Sequence, residues 1–526
     1  MKRLFYFIAV AAMLCQGCFK DDSPVEIDSI NPIQITNVTG GQFNVKQMDT
    51  LKIEPLIYCN GVDDSDLAFE WKIMNYGHIV PRVLDTGMYC CAQITELPDA
   101  YTVRLTITDK TTGIFRIQDY NLTVLSNFSE GLLVAYTRDE QTSDFGLVMS
   151  REFNGMMATN MSDDTRDIYM DLWASVNGEP LPGLILGAGE GSMYGQNTSL
   201  TTVTTQGMFR CNYKDFSANL SMSDLFHVPQ DLVYPVTTGA VYYQPNMRNE
   251  HILVGGWMTG RCFQNNGIKY DNMIRFDNKK EYNVTMTCLP RKEYTVYPVY
   301  GYDAQNKRML FFDTKAGTTA SNQTAAKYNV GDLSAYDALY LGQTAEGVTL
   351  LAKEGGSFKA LVMKLYKYAE IPSATDIGKA IYDLGNPVAM NEAKYFATNS
   401  LGNAIYYATD DAVYAGSMEG MASAKMQWQP EAGEKITGLK VYGTEYNMTG
   451  GTHYMSNVNN PDAEASQGSA DHLLLITTYN ESTKEGKVTA VPIKHVNVGE
   501  LETNKKYHVV LNGFGRILGV YKQISE

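Results

Sequence analysis

The sequence has no excess of positive charge and few tryptophans. Its 526 residues carry 43 Lys and Arg against 58 Asp and Glu, which gives a formal net charge of −15 at pH 7. Neutralising a phosphate backbone requires clustered cations, so this balance argues against a nucleic-acid-binding protein. Hydrophobic residues still make up 44%, as in ordinary folded chains. With 35 Tyr against 4 Trp and 19 Phe, the aromatic content favours strands and wet binding surfaces.

Motifs of the common catalytic and metal centres are also missing. The 7 His include no HExxH and no pair at helical metal-ligand spacing, and no GxSxG elbow occurs. The run 187–191 (GAGEG) precedes strand-like residues rather than the helix that a phosphate-binding loop must open, so we expect a Gly-rich turn. Asp163, Asp164, Asp167 and Asp171 lack calcium-loop spacing and indicate a solvated loop. The sequence therefore predicts no catalytic residue, no metal and no cofactor.

The cysteines do not form a disulfide framework. Two of the 8 lie in the first 18 residues, and the other six show no CxxC or metal-finger spacing: Cys59, Cys90, Cys91, Cys211, Cys262 and Cys288. A bridge from Cys59 to Cys90 or Cys91 is the one pairing to consider. The alternative is that these are buried free thiols.

The N-terminus has the pattern of a signal peptide over residues 1–17. Two basic residues precede an apolar run at 4–14, which at 11 residues is too short to span a bilayer as a helix, and no later segment stays apolar for 18 residues. Gly17 directly before Cys18 resembles the lipobox of bacterial lipoproteins, although Cys15 stands where Leu is usual. The resemblance implies that Cys18 is lipidated. A plain secretory signal with an incidental Cys is the alternative.

Residues 18–28 then form a short tether. Lys20, Asp21 and Asp22 follow Cys18 closely, and a Lys before acidic residues at this place resembles the surface-export signal of Bacteroidetes lipoproteins. The resemblance implies a protein that is anchored by lipid in the outer membrane and faces the outside of the cell. Several acyl chains, at about 0.8 kcal/mol per buried CH₂, give stable anchoring without a transmembrane helix.

Residues 29–126 consist of short strand-like runs between turn residues. The last two, YTVRLTITD and IFRIQDYNLTVL, alternate apolar and polar residues around the turn KTTG, which predicts a half-buried antiparallel hairpin. About 100 residues of this kind form an immunoglobulin-type β-sandwich, in which Trp71 is the core tryptophan. Tyr101 to Asp109 with Gly113 resembles the closing strands of polycystic-kidney-disease (PKD) domains. MNYG replaces the Gly-Asp turn usual after the PKD tryptophan, so this is a divergent member.

Residues 127–526 repeat one pattern, a strand, a tight turn and a strand. Clear copies lie at 132–150, 297–313, 348–368, 395–416 and 472–493. Gly-Gly, Gly-Asn and Asp-Asp turns between alternating runs are hairpin signals. A repeat of about 45–60 residues predicts four-stranded blades, hence an all-β chain with a β-sandwich followed by a β-propeller of about seven blades. Two tandem β-sandwiches are the alternative, and in a propeller residues 507–522 should add a strand to the first or last blade.

Three segments together resemble the PKD-like lipoproteins of Bacteroidetes. They are GLLVAYTRDEQTSDFGLVM after the sandwich, NPVAMNEAKYFATNSLGNAIYYATDDAVYAG, and the closing GFGRILGVYKQ. The resemblance covers most of the chain but rests on patterns rather than on a catalytic motif. It implies an accessory surface protein of a SusC/SusD-type TonB-dependent nutrient importer.

Candidate binding residues lie where a propeller presents loops. The polar insertion 447–470 carries His453 and Tyr454, and a loop of this length is commonly functional or disordered. Trp257 and Arg261 lie near a hairpin end, and residues of these types often anchor binding sites. Tyr302 could stack on a ligand. The alternatives are a loop without a role for the first pair, and core packing for Trp257 and Tyr302.

Two functions follow from these observations. The first is a non-enzymatic surface lipoprotein that binds an oligopeptide or glycan nutrient and assists an importer. An oligopeptide is favoured, because a glycan platform usually offers more Trp than the 4 present here. The second is a surface glycoside hydrolase or lyase that serves the same importer, since two distant carboxylates could cleave a glycoside without any sequence motif.

Overall fold

The computed structural model describes most of the chain after residue 31. The described residues are 32–36, 41–47, 49–75, 80–96, 98–125, 128, 131–150, 152–153, 166–193, 196–220, 224–244, 249–262, 269–277, 280–290, 299–312, 317–319, 323–365, 375–442 and 472–523. The chain divides into two compact units, Met1–Ser126 and Asn127–Glu526. The described residues are mostly strand, which confirms the predicted all-β class.

The N-terminal unit is a β-sandwich. Its strands are β1 Gln34–Thr36, β2 Gln42–Lys46, β3 Thr50–Ile53, β4 Leu56–Tyr58, β5 Leu67–Met74, β6 Arg82–Asp85, β7 Cys90–Gln93, β8 Asp99–Asp109 and β9 Phe115–Leu125. One sheet has the order β2-β9-β8-β5-β6, antiparallel except for the parallel pair of β2 and β9. The strands β3-β7 and β1-β4 form two further pairs, and the core lies between the large sheet and these pairs.

The sandwich core agrees with the sequence pattern. Along β8 the side chains alternate between buried and half-buried, and β8 pairs with β9 as the predicted hairpin. Trp71 is fully buried, stacks on Tyr120 with ring centroids 5.7 Å apart, and its Nε1 donates to the Gly87 carbonyl oxygen at 2.9 Å. Cys90 and Cys91 are free thiols, so of the two possibilities that the sequence left open, a bridge to Cys59 and free thiols, the structure shows the second for both.

The described residues of the C-terminal unit form a β-propeller of seven blades. The first blade contains β10 Gly131–Thr137, β11 Thr142–Ser150, β12 Arg166–Tyr169 and β13 Leu181–Pro182, and the second contains β14 Ile185–Met193, β15 Gln196–Thr204, β16 Gly207–Cys211 and β17 Ala218–Leu220. The third blade contains β18 Gly239–Gln244, β19 Asn249–Val254 and β20 Trp257–Cys262. The fourth contains β23 Val284–Cys288, β24 Val299–Asp303, β25 Arg308–Phe312 and β26 Gly317–Thr318. A small hairpin, β21 Phe276–Asp277 and β22 Lys280–Glu281, precedes the fourth blade, and the helix α1 Leu172–Asn177 lies in the first.

The last three blades follow in the same way. The fifth blade contains β27 Asp337–Thr344, β28 Gly347–Glu354, β29 Ser357–Met363 and β30 Gly378–Gly385. The sixth contains β31 Tyr395–Thr398, β32 Ala404–Ala408, β33 Val413–Ser417 and β34 Lys425–Trp428. The seventh contains β35 Glu434–Val441, β36 Leu473–Asn480, β37 Glu485–His495, β38 Glu500–Leu501 and β39 Val509–Phe514. The chain's last strand is β40 Arg516–Gln523.

The end of the chain closes the ring. Most blades run in sequence order from an inner to an outer strand, as in β27-β28-β29-β30. In the first blade the inner strand is instead β40, which pairs with β10 from Gly131↔Gln523 to Thr137↔Arg516. The preceding strand β39 pairs with β37 of the seventh blade. The predicted closure is therefore confirmed, and the terminal segment adds a strand to both blades.

Hydrophobic cores fill the spaces between neighbouring blades. The described residues of this unit form seven buried clusters, each drawn from two adjacent blades. The cluster at the closure contains Leu132 of the first blade, Leu475 of the seventh, and Val520 of β40. Because both faces of a central strand are covered, β10 is buried at all seven positions and appears in the sequence as a continuous apolar run.

Two turns illustrate how strands are connected within a blade. Gly355 and Gly356 join β28 to β29 with φ of +57° and +96°, which only glycine adopts without strain. Elsewhere a side chain caps the turn. The Asp139 carboxylate accepts hydrogen bonds from the backbone N–H of Gln141 at 2.8 Å and of Thr142 at 2.7 Å. Capping of this kind fixes a hairpin turn without requiring glycine.

Candidate functional site

The inner strands of the blades surround the propeller axis. Along this wall β14 contacts β18, β27 contacts β23 and β31, β31 contacts β35, and β40 contacts both β35 and β14. Glycines allow the closest approach: a Cβ at Gly187 would lie 2.6 Å from the Cα of Ala240. The Gly-rich run 187–191 is therefore part of a strand, β14, and the expected turn was wrong. Close packing of two inner strands, rather than chain reversal, requires these glycines.

A cavity opens between β35 and β40, where the ring closes. Its volume is about 240 Å³, and its wall is formed by Thr437 to Lys440, Thr477, and Ile517 to Tyr521. We call it the closure-seam cavity. One side comes from the seventh blade and the other from the strand that the C-terminus adds to the first blade, so the cavity exists only in the closed ring.

Lys440 and Tyr521 bring charge and an aromatic face to the closure-seam cavity. The Lys440 ammonium donates a hydrogen bond to the Val520 carbonyl oxygen at 2.9 Å. It also lies 5.1 Å from the centroid of the Tyr521 ring, within the distance at which a cation is attracted to the π-face. Both side chains are half-buried. Because the ammonium spans from β35 to β40, it joins the two strands as well as lining the cavity.

The backbone of both strands is irregular beside the closure-seam cavity. The pairing of β35 with β36 shifts register between Ile436 and Gly438, and that of β40 with β10 shifts at the Ala135–Tyr136 step. Shifts of this kind bend a strand and redirect its side chains, and they are frequent next to binding sites. Glycine stands at Gly438 and at Gly519, where the Tyr521 ring lies against the backbone. Both register shifts and both glycines therefore fall on the strands that line the cavity.

Hydroxyl groups complete the polar part of the wall. The hydroxyls of Thr437 and Thr477 lie 2.9 Å apart and are hydrogen-bonded to each other. Together with the ammonium they offer both donors and acceptors. Apart from Tyr521, the remaining lining residues are aliphatic or glycine, and two of them, Leu439 and Leu518, also pack against the cores of the neighbouring blades. The arrangement can hold a small group that carries one negative charge and some apolar surface.

Trp257 lies at the start of β20, directly after the turn Gly255–Gly256. It is half-buried and packs on the core between the third and fourth blades, where its ring makes an edge contact with Tyr282 at 5.4 Å. The guanidinium over its face belongs to Arg275, 5.4 Å from the ring centroid. Arg261 lies at the other end of β20 and is paired in register with Glu250; its side chain is outside the described part.

Tyr302 lies in the core between the fourth and fifth blades. It is 5% exposed, and burial raises the pKa of its phenol. Tyr300, two residues earlier on β24, joins the same cluster and donates to the Lys364 carbonyl oxygen at 2.8 Å. This is the packing role that the sequence left open, and in this position the Tyr302 ring does not face a ligand at the surface.

The other sequence-predicted residues lie outside the described residues. They are Cys18, Lys20, Asp21 and Asp22 of the N-terminal segment, and His453 and Tyr454 of the insertion between β35 and β36. Trp173, on α1, is buried in the core between the first two blades, and its backbone N–H is capped by the Asp144 carboxylate at 2.7 Å.

Sequence reasoning missed the Lys440–Tyr521 pair and a buried polar cluster between the second and third blades. In that cluster Arg210 lies 4.8 Å from the ring centroid of Tyr270 and donates to the Thr201 hydroxyl at 3.3 Å, while Tyr270 donates to the carboxylate of Glu250. All four residues are buried, so the cluster connects the two blades internally. Its members come from different strands, and no spacing in the sequence signals them.

The residues that the structure describes include no group of three or more His, Cys, Asp and Glu arranged to hold a metal ion. Within the same ranges, no helix has the length and apolar character needed to cross a membrane.

Comparison with known proteins gives one family. Residues 18–184 match the PKD-like family. The match therefore extends beyond the sandwich into the strands β10 to β13 of the first blade. No curated protein matches the sequence.

Several solved structures are similar in fold. A quinonprotein alcohol dehydrogenase-like protein from Bacteroides thetaiotaomicron is 13% identical, with 92% of this chain and 98% of that chain covered and a TM-score of 0.36. The extracellular domain of a one-component system from the same organism is 11% identical, covering 78% and 73%, with a TM-score of 0.24. An apocarotenoid oxygenase from Synechocystis is 7% identical, covering 87% and 92%, with a TM-score of 0.33. These scores are low, so the architecture rests on this chain's own strand pairing.

Proposed function

We propose that this protein is a non-enzymatic lipoprotein of the outer-membrane surface that binds an oligopeptide or glycan nutrient. In this proposal Cys18 carries the lipid, and Lys20, Asp21 and Asp22 direct the protein outward. The propeller then holds the nutrient for a SusC/SusD-type importer. The lipobox pattern and the acidic stretch behind it support the anchored, extracellular part of the proposal.

The closure-seam cavity is the observation that carries the binding role. It joins a cation, hydroxyls, an aromatic ring and aliphatic side chains on strands of a closed ring. Binding sites are commonly concave, largely apolar and equipped with a few polar groups that orient the ligand. Because strands of a packed ring hold these groups in place, binding a ligand costs little conformational entropy of the protein.

Anchoring reduces the affinity that such a protein needs. A lipid-anchored binder beside an importer keeps the captured nutrient at high effective concentration near the channel, so weak binding is sufficient. The distribution of tryptophan favours an oligopeptide: Trp71 and Trp173, two of the 4 Trp, are buried in cores and offer no stacking platform for a sugar.

The experiment is purification of the tagged protein from outer membranes under mild detergent. The proposal expects an importer of the SusC/SusD type to be retained with it in stoichiometric amount. A matched control is Cys18→Ala, which should be recovered from the soluble fraction without the importer. If the anchored protein is recovered alone under conditions that keep SusC and SusD together, the partnership is refuted.

A further inference from the structure

The closure-seam cavity has the chemistry to select one kind of ligand group. Its size, about 240 Å³, is below the roughly 300–1,000 Å³ of pockets that enclose a drug-sized ligand. It therefore admits one terminal unit of a longer molecule. The remainder of such a molecule would extend along the propeller axis.

The charge of the wall indicates which unit. Lys440 supplies a single ammonium, held in place by the Val520 carbonyl oxygen and the Tyr521 ring, and Thr437 and Thr477 line the same cavity. One cation with hydroxyl donors matches a group of one negative charge. Phosphate, with more charge and more acceptor oxygens, is usually held by several cations or by a row of backbone N–H groups.

We infer that the closure-seam cavity binds the carboxylate end of the nutrient, with Lys440 as the ion-pair partner and Tyr521 packed against the adjoining carbon skeleton. This inference rests on the proposed binding function and specifies its ligand. Two sources supply such a group, the C-terminal residue of an oligopeptide and a terminal uronic acid of a glycan.

The first test uses the unmodified protein and needs no variant. Isothermal titration calorimetry compares alanyl-alanyl-leucine with its C-terminal amide, and galacturonate with galactose. The expected result is saturable binding of at least one acid and a roughly 10- to 100-fold weaker binding of its neutral counterpart, the loss typical of one charge-assisted hydrogen bond. The peptide pair responds if the source is peptide, and the sugar pair responds if it is uronate.

The second test places the charge at Lys440. Lys440→Met should cause the same loss as amidation, whereas Lys440→Arg should keep most of the affinity. Lys435→Met is the matched control, because Lys435 is on the same strand but lies 3.8 Å from Asp410 and outside the cavity wall. Thermal melting of each variant confirms that it is folded.

Each outcome decides the inference. Equal binding of acid and amide, unchanged binding by Lys440→Met, or no saturable binding of either acid up to about 10 mM overturns it. If longer peptides or glycans are still retained in these cases, the proposed function stands and only this site is wrong. If no peptide or glycan of any length is retained, the proposed function itself fails.

Discussion

The buried ion pair of Asp303 and Arg308 is predicted to stabilise the fourth blade. It ends β24, its side chain is fully buried, and it accepts hydrogen bonds from the backbone N–H of Asn283 at 3.0 Å and of Gln305 at 3.2 Å. Arg308 Nε donates to the same carboxylate at 2.9 Å and is itself only 9% exposed. The carboxylate thus joins the chain entering the fourth blade to the hairpin turn within it.

Replacing Asp303 by Ala removes the carboxylate that is paired with a buried cation. Breaking a buried ion pair from one side costs about 3–5 kcal/mol, because the remaining charge is left without compensation. Asp337→Ala is the matched control: its carboxylate is 81% exposed, lies 3.4 Å from Lys307, and a surface pair of this kind contributes at most about 1 kcal/mol. We expect Asp303→Ala to lower the urea midpoint of the propeller strongly and Asp337→Ala to leave it nearly unchanged.

A double variant separates the ion pair from simple loss of packing. Asp303→Leu with Arg308→Met replaces both charges by apolar groups, which is often neutral at buried pairs. The double variant should recover a large part of the stability lost in Asp303→Ala. Urea unfolding monitored by circular dichroism measures this stability. Equal midpoints for Asp303→Ala and Asp337→Ala would contradict this prediction, because they would show that the buried carboxylate contributes no more to stability than an exposed one.

The remaining predictions concern the anchor, the closure and one capped turn. Cys18→Ala should move the protein from the membrane to the soluble fraction on fractionation, and persistent membrane attachment would contradict the lipid anchor. A chain ending at Lys505 loses β39 and β40 and should no longer melt cooperatively by calorimetry; a sharp transition at the original temperature would exclude closure by these strands. Hydrogen bonds from Thr142 and Gln141 lower the pKa of Asp139 to about 2. The capped turn's contribution to stability is therefore complete above the unfolded pKa of 3.8 and is lost as the pH falls through about 2. NMR titration of the Asp139 carboxyl carbon measures this pKa. An apparent pKa near 3.8 would contradict the prediction.

The architecture could be predicted because local signals repeat along the chain. The Gly-Gly turn at 355–356 and the alternation along β8 each predict a hairpin from a few adjacent residues. Counting such hairpins gives about seven blades, and the described part of the chain forms seven. Closure of the ring also follows from a general requirement, since an open propeller would expose the edge of its first and last sheets.

The site could not be predicted in the same way. Lys440 and Tyr521 belong to different blades, and only closure of the ring brings them together, so no local pattern connects them. Tyr302 could not be placed from the sequence for another reason. An aromatic residue in an alternating strand can lie at the surface or in a core, and Tyr302 lies in a core because the next blade packs against it. The glycines at 187–191 predict a turn from the sequence alone. The sequence does not reveal that a Cβ at Gly187 would lie 2.6 Å from the Cα of Ala240 on the next inner strand.

Binding without turnover can be measured directly by following retention and cleavage of the same ligands with the purified, full-length protein. A panel of oligopeptides and glycans is equilibrated with it, the bound fraction is measured, and the recovered ligand is analysed by mass spectrometry after prolonged incubation. We expect saturable retention of at least one class of ligand, recovered at its original mass. Recovery of shortened glycans or of lyase products, in amounts that increase with time and protein concentration, would contradict it and identify the protein as an enzyme.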